Sequence, residues 1–203
     1  KSLWYRGPLS ESSHTQLGSA VATGFITRDL FFDRLQQSLL RAERGEHRLA
    51  LLHLNIDDFR SINESFGYQN GDQLMLKLAE RLRHTLRRVD SLMRIGGDEL
   101  AIIVEQVEDS LDVAHIIRKV IGSLDEPITV GGQVIGLSAS LGVATYPESG
   151  DSAENLLRRA NRATFEAKRE PGSSYRFYDH QLHVSAGHQL RLEGDLRHAL
   201  RGR

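Results

Sequence analysis

Residues 49–56 read LALLHLNI and run straight into Asp57-Asp58. The run is too short for a membrane span or a typical buried helix, and too continuously apolar for a strand with one face in water. It reads as a strand covered on both faces. Residues 100–104, Leu-Ala-Ile-Ile-Val, make the same demand. A chain with two such strands needs a sheet with helices laid against it. Leu74, Leu78, Leu82 and Leu86 recur every fourth residue, opposite Lys77, Glu80, Arg81 and Arg88, which predicts an amphipathic helix over 71–88. Leu30, Phe31, Leu35, Leu39 and Ala42 predict another over 28–44, with Gly45 as its stop.

Asp109 or Ser110 caps a further helix carrying Ala114, Ile117, Ile121 and Leu124, and Ser152 caps one striped by Leu156, Ala160, Ala163 and Ala167. Strands 91–95 and 100–105 flank Gly96-Gly97-Asp98-Glu99, the signature of a hairpin. Residues 128–130 and 133–141 flank Gly131-Gly132 as a second hairpin, and a short strand is expected at 175–178. The segment 59–71 is polar, holds two glycines and falls short of a full amphipathic helix. The order α, β, α, β-β, α, β-β, α is that of an α+β domain with helices on a mostly antiparallel sheet. Residues 1–22, rich in Ser and without a sustained period, read as a linker or the remnant of an upstream element. From about residue 180 the chain is rich in His and Arg, and 190–196 begins another amphipathic helix.

Composition narrows the function classes. The 203 residues carry 26 Lys and Arg against 27 Asp and Glu, so no net field draws the chain to nucleic acid or anionic lipid. No window approaches 18 consecutive apolar residues, so neither a transmembrane span nor a secretory signal is expected here. With no cysteine, disulfides, thiolate catalysis and Cys-ligated zinc are excluded. A cytoplasmic location fits, compatible with a parent protein anchored elsewhere. His180, His183 and His188 are too loosely spaced to suggest zinc, and no Walker-type loop, HExxH or GxSxG occurs.

Chemistry points to one end of the sheet. Asp57 and Asp58 close the first strand, and Asp98 and Glu99 occupy a hairpin tip. If those strands are neighbours, three or four carboxylates gather where a hard cation such as Mg²⁺, and the phosphates it carries, would bind. Gly96-Gly97 would let a bulky ligand approach the backbone. On spacing alone, a simple turn with a solvated acidic rim is the favoured reading.

The literal string goes further. Arg94-Ile95-Gly96-Gly97-Asp98-Glu99-Leu100 resembles the signature of the GGDEF family of diguanylate cyclases, with Leu100 for the terminal Phe. Residues 55–72 resemble that family's D-x-D-x-F-K-x-x-N-D-x-x-G-H-x-x-G-D block, and 160–168 its A-D-x-A-x-Y-x-A-K helix. The resemblance covers roughly residues 23–179. It implies a nucleotidyl-cyclase-type ferredoxin-like sandwich that binds GTP and cyclic di-GMP and condenses two GTP, as a homodimer, with Mg²⁺ or Mn²⁺. By position, Asn63 and Asp72 are expected to hydrogen-bond guanine, whose N1–H and N2–H₂ suit a carboxylate and whose ring acceptors suit an amide. Arg60, in place of a Lys, and Lys168 are expected at the phosphates. Phe59, Gly96 and Gly97 are expected to line the substrate site. Asp98 with the Ile56 carbonyl is expected at the metal, and Glu99 is expected to help deprotonate the attacking 3′-hydroxyl.

The departures bear on activity. The family's main metal Asp is Asn55 here, which brings no charge and cannot bridge two metals. Asp57 is retained past the end of the apolar run, and is expected to point away from the face used by position 55. Tyr68, Glu64, Asn161 and Phe165 replace the family's His, Asp, Asp and Tyr, and Pro171-Gly172-Ser173 removes a phosphate-binding Arg. Arg87-Arg88-Val89-Asp90 keeps the RxxD register of the product-inhibition site, assigning Arg87 and Asp90 to cyclic di-GMP. Residues 190–200, LRLEGDLRHAL, resemble the helix joining GGDEF domains to an EAL phosphodiesterase domain, so 180–203 are expected to form a linker towards one. Two readings stand: a cyclase that is weak or conditional, and an inactive nucleotide sensor regulating an attached EAL domain.

Overall fold

The computed structural model describes residues 25–45 and 47–187. Helix α1 (Arg28–Gly45) leads into strand β1 (Arg48–Ile56), then α2 (Phe59–Phe66) and α3 (Tyr68–Thr85). The hairpin of β2 (Ser91–Gly96) and β3 (Glu99–Val107) follows, then α4 (Ser110–Asp125) and the small hairpin β4 (Ile128–Val130) and β5 (Gln133–Ile135). Strand β6 (Ala139–Tyr146), helix α5 (Ala153–Ala167) and β7 (Ser174–Phe177) complete these elements. The main sheet runs β2-β3-β1-β6-β7. Every pairing in it is antiparallel except β6 with β7. The α+β sandwich expected from the sequence is therefore the observed architecture.

β1 sits at the centre and divides the core by alternation. Ala50, Leu52, Leu54 and Ile56 face a layer built from Leu74, Met75, Leu78 and Leu82 of α3 and Val113, Ile117, Val120 and Leu124 of α4. Leu49 and Leu51 face the opposite layer, Phe31, Leu35 and Leu39 of α1 with Leu156 and Ala160 of α5. Both faces are covered, which is why the run lacks the apolar–polar alternation of a half-exposed strand. His53 and Asn55 continue the register of Leu49 and Leu51, so two polar side chains end the α1/α5 face.

Gly142 sets how closely α5 lies on the sheet. A Cβ built there would come within 1.9 Å of the Ala160 carbonyl oxygen and 2.4 Å of the Thr164 nitrogen. Only a glycine lets the helix backbone rest on β6 at that point. Because Gly142 pairs with His53 across β1 and β6, this contact seats Thr164 directly at His53.

Three local features differ from expectation. The segment 59–71 forms α2 and the first turn of α3, separated by Gly67 at φ 86°. The predicted 71–88 helix begins earlier and stops at Thr85, with Leu86 already extended. The expected strand 133–141 is two elements, because β5 ends at Ile135 and β6, from Ala139, joins the main sheet beside β1. Residues 180–187 have helical backbone and pack on the domain. Asp179 caps them by accepting from the Gln181 and Leu182 amides, and Ala186 is fully buried. The amphipathic stretch 190–196 and the expected linker over 1–22 lie outside the described residues.

Candidate functional site

The end of β1 and the tip of the β2–β3 hairpin are neighbours. Asn55 pairs with Glu99 across β1 and β3, and the Ile56 amide donates to the Asp98 carbonyl at 3.0 Å. The two-residue turn is Gly97-Asp98, with Gly97 at φ 41°. Nothing lies within 4 Å of where a Cβ would sit on Gly96 or Gly97, so the approach to the hairpin tip is open. Asp57 does not turn away: Ser140, one of its two donors, is the partner of Asn55 across β1 and β6 and so shares that residue's face. The Asp57 carboxylate accepts from the Ser138 and Ser140 hydroxyls at 2.8 and 3.0 Å, tying β1 to the start of β6.

Asn55 is only 6% exposed, and its Oδ1 is a buried acceptor without a hydrogen-bond partner. An unmade bond at a buried carbonyl oxygen costs about 1–3 kcal/mol. It fits a position that meets a cation, and the carboxylates of Asp98 and Glu99 share the same strand ends. The donor set is poor in charge: among the described residues, no three His, Asp or Glu side chains are placed to hold a metal ion. An oxygen-ligated divalent cation therefore fits this end, with less negative charge than an aspartate at position 55 would bring.

His53 stands beside this cluster, 2% exposed. Its Nδ1 is 3.0 Å from the Thr164 hydroxyl, and its Nε2 is 3.9 Å from Glu99 Oε2. Burial pulls its pKa down to about 4, helped by the Lys168 ammonium and opposed by Asp98. The imidazole is thus neutral near pH 7. Lys168 is the C-cap of α5, exposed and close enough for its charge to be felt at His53.

The expected guanine pair meets at the start of α3. A Cβ on Gly71 would fall 1.9 Å from Asn63 Oδ1, so glycine there opens the space that the Asn63 amide fills. Asp72, the next residue, is 69% exposed and ion-paired with Arg94 Nη1 at 2.9 Å. Arg94 Nε and Nη2 both donate to the Gly97 carbonyl, at 3.0 and 2.8 Å. One guanidinium thus ties the hairpin tip to the first turn of α3. Phe59 is buried in the α3/α4 layer, where it anchors α2 rather than facing solvent. Arg60 is 91% exposed and pairs with Glu64 one turn on, at 2.8 Å.

The Arg87–Asp90 segment lies at the other end of β2. Asp90 accepts from the amides of Arg87 and Glu105 at 2.8 and 3.1 Å. Burial raises its pKa, an effect those two bonds oppose. Both of its carboxylate oxygens are thus engaged in closing the turn into β2. Arg34, Arg83, Arg87, Arg88 and Asp90 border a cleft of about 240 Å³. In the sequence Arg94 stands inside the hairpin motif with no part of its own, and His53 and Thr164 lie outside the assigned site. A lone histidine inside an otherwise apolar strand was the available signal.

Among the described residues, no helix is long and apolar enough to cross a membrane. The family model described as "Diguanylate cyclase, GGDEF domain" matches residues 21–174. The bifunctional diguanylate cyclase/cyclic di-GMP phosphodiesterase MucR of Pseudomonas aeruginosa is 34% identical over 181 residues, 89% of this chain and 26% of MucR. The cyclic di-GMP phosphodiesterase NbdA of the same organism is 34% identical over 88% of this chain and 23% of its own length. The chain thus spans about a quarter of the length of these curated relatives. The crystal structure of the GGDEF domain of YfiN (TpbB) from P. aeruginosa superposes with a TM-score of 0.75 at 33% identity, covering 77% of this chain and 98% of that one. An EAL/GGDEF domain protein from M. capsulatus gives a TM-score of 0.66 at 39% identity, covering 75% and 99%. With the hairpin motif, the sheet order and the domain-wide superposition in agreement, the chain belongs to the GGDEF family of diguanylate cyclase domains.

Proposed function

We propose that this chain is a cyclic di-GMP signalling module that binds GTP at the β1–hairpin end and cyclic di-GMP at the Arg87–Asp90 cleft. Its cyclase activity, two GTP giving cyclic di-GMP and two pyrophosphates, is weak or conditional because of Asn55. The observation that carries this reading is a contrast within one site. The guanine side keeps Asn63, the space at Gly71 and an exposed Asp72. The phosphate side ends on a neutral Asn55 with a bare Oδ1.

Asp72 accepts from guanine N1–H and N2–H₂, and the Asn63 amide meets the ring acceptors. Gly96 and Gly97 admit the ribose and phosphates over the hairpin, and Lys168 and Arg60 offset phosphate charge from its two sides. Asn55 Oδ1, the Ile56 carbonyl and Asp98 would hold a divalent cation, Mg²⁺ or Mn²⁺, which would supply Lewis acidity at the phosphates. Each of two facing protomers presents one GTP, and each 3′-oxygen forms a bond to the other nucleotide's α-phosphorus as pyrophosphate leaves. Glu99 takes the 3′-hydroxyl proton. We place the module over residues 23–179, in the cytoplasm, with 1–22 as a linker and 180–203 leading towards an EAL-type domain.

The second reading, a sensor without turnover controlling that domain, is favoured by the same bare Oδ1. Calorimetric GTP titration beside chromatographic detection of cyclic di-GMP tests both. Binding with slow product formation supports the first, binding without product supports the second, and no GTP binding rejects both.

A further inference from the structure

A second titratable cluster lies where residues 180–187 pack on the domain. His183 of that segment meets β7 and the turn before it. Its Nε2 is 2.6 Å from Arg176 Nη1, while Arg176 Nη2 is ion-paired with Glu170. A guanidinium only donates, so Nε2 accepts and Nδ1 carries the proton of the neutral ring. That Nδ1 is buried and has no hydrogen-bond partner among the described residues. The rings of Tyr175 and Phe177 flank the imidazole, their centroids 5.6 and 6.4 Å away. A neutral imidazole fits this place and a charged one does not, because a second ring N–H would face Arg176 donor to donor and cation to cation. Glu170, the carboxylate facing the cluster from the turn after α5, is already paired with Arg176. On the segment itself, Asp179 is engaged in capping, and exposed His180, three residues back, adds a like charge once it is protonated.

We propose that residues 180–187 are a proton-released latch, docked on β7 while neutral His183 accepts from Arg176 and freed when the imidazole takes up a second proton. The apolar part of the docking contact is small: Ala186 is fully buried, Leu182 is half-buried, and Val184 faces solvent. The loss of one hydrogen bond and the gain of a cation–cation contact therefore weigh heavily in the balance. Burial first, then the Arg176 charge, hold the His183 pKa below its usual 6.5, with Glu170 opposing them and His180 adding to them. In the freed segment the imidazole regains its ordinary value, so that state binds the extra proton more readily. Docking is complete above about pH 6.5 and weakens as pH falls below it. The latch does not depend on the proposed nucleotide site.

The chain has no cysteine, so Val184→Cys, at an exposed position, takes a nitroxide spin label without a competing site. A second protein, Glu80→Cys on the exposed side of α3, reports on the rest of the domain. Continuous-wave EPR from about pH 7.5 to about pH 5 follows both labels. The expected result is a rise of about tenfold in the ratio of mobile to immobile signal at position 184, with no change at position 80. His183→Gln keeps an acceptor for Arg176 and cannot titrate, so in that background the ratio at position 184 should stop responding to pH. If His183→Gln does not fold, His183→Phe, equally unable to titrate, takes its place with the same expectation. A label at position 184 that is immobile at every pH, or mobile at every pH, overturns the latch. A rise that persists without His183 overturns it in favour of another titrating group. Loosening of both labels together overturns it as acid unfolding of the whole domain.

Discussion

Arg94 and Asp72 are 22 positions apart in the chain and 2.9 Å apart in space, and the same guanidinium also holds the Gly97 carbonyl. The glycine hairpin and the first turn of α3 therefore move as one unit, and the carboxylate expected to read guanine is pre-aimed by an arginine. Since the pair is exposed, it adds only about 0–1 kcal/mol to stability. Asp72→Asn should shift the melting midpoint little while weakening GTP binding about tenfold or more. Calorimetry and thermal denaturation on the same variant separate the two effects. An equal loss of both would mean that Asp72 is structural.

Arg87 and Asp90 should part company under mutation. Arg87 is exposed at the cleft, so Arg87→Ala is expected to abolish cyclic di-GMP binding with the fold intact. Asp90 accepts two backbone amides, and Asp90→Ala should lose about 1–3 kcal/mol of stability as well as binding. Urea denaturation beside cyclic di-GMP titration checks the split.

Gly142→Ala should cost about 3 kcal/mol or more, because its methyl group would meet the Ala160 carbonyl and the backbone of Thr164. Helix α5 must then lift, and Thr164 moves from His53. A mild effect in chemical denaturation would contradict the close approach.

Acid should destabilise the metal-free chain through His53. Its pKa is about 4 folded and 6.5 as a free side chain, so between those values the unfolded state binds the extra proton. Stability from this group is complete above about pH 6.5 and falls as pH drops towards 4, by at most about 3 kcal/mol. Raised by burial, the Asp90 pKa acts in the opposite sense at the acid end, so the comparison is between wild type and His53→Phe in chelator. The variant should show the shallower slope.

The sequence made the frame legible because periodicity reports burial locally. The apolar run of β1, the four-residue leucine repeat of α3 and the Gly-Gly turn each carry their own signal. Helix α2 escaped because eight residues, Phe59–Phe66, give barely two turns of pattern. The split between β5 and β6 escaped because the apolar residues continue through the gap while the strands belong to different sheets. At the site, the resemblance to the family's motifs singles out Asn55, Asp98, Glu99, Asn63 and Asp72, whereas the contacts these residues make are set by the tertiary fold. His53 meets Thr164 across 111 positions, and no local pattern announces that.

The central claim is that this domain keeps its nucleotide pocket and is limited at Asn55. The most direct measurement is cyclic di-GMP formation from GTP by wild type and Asn55→Asp, with GTP affinity measured for both. The account predicts similar affinities and a turnover at least about tenfold higher in the variant, equivalent to about 1.4 kcal/mol at the transition state. Equal turnover in the two proteins would contradict it, showing that the amide at position 55 is not what limits the chemistry.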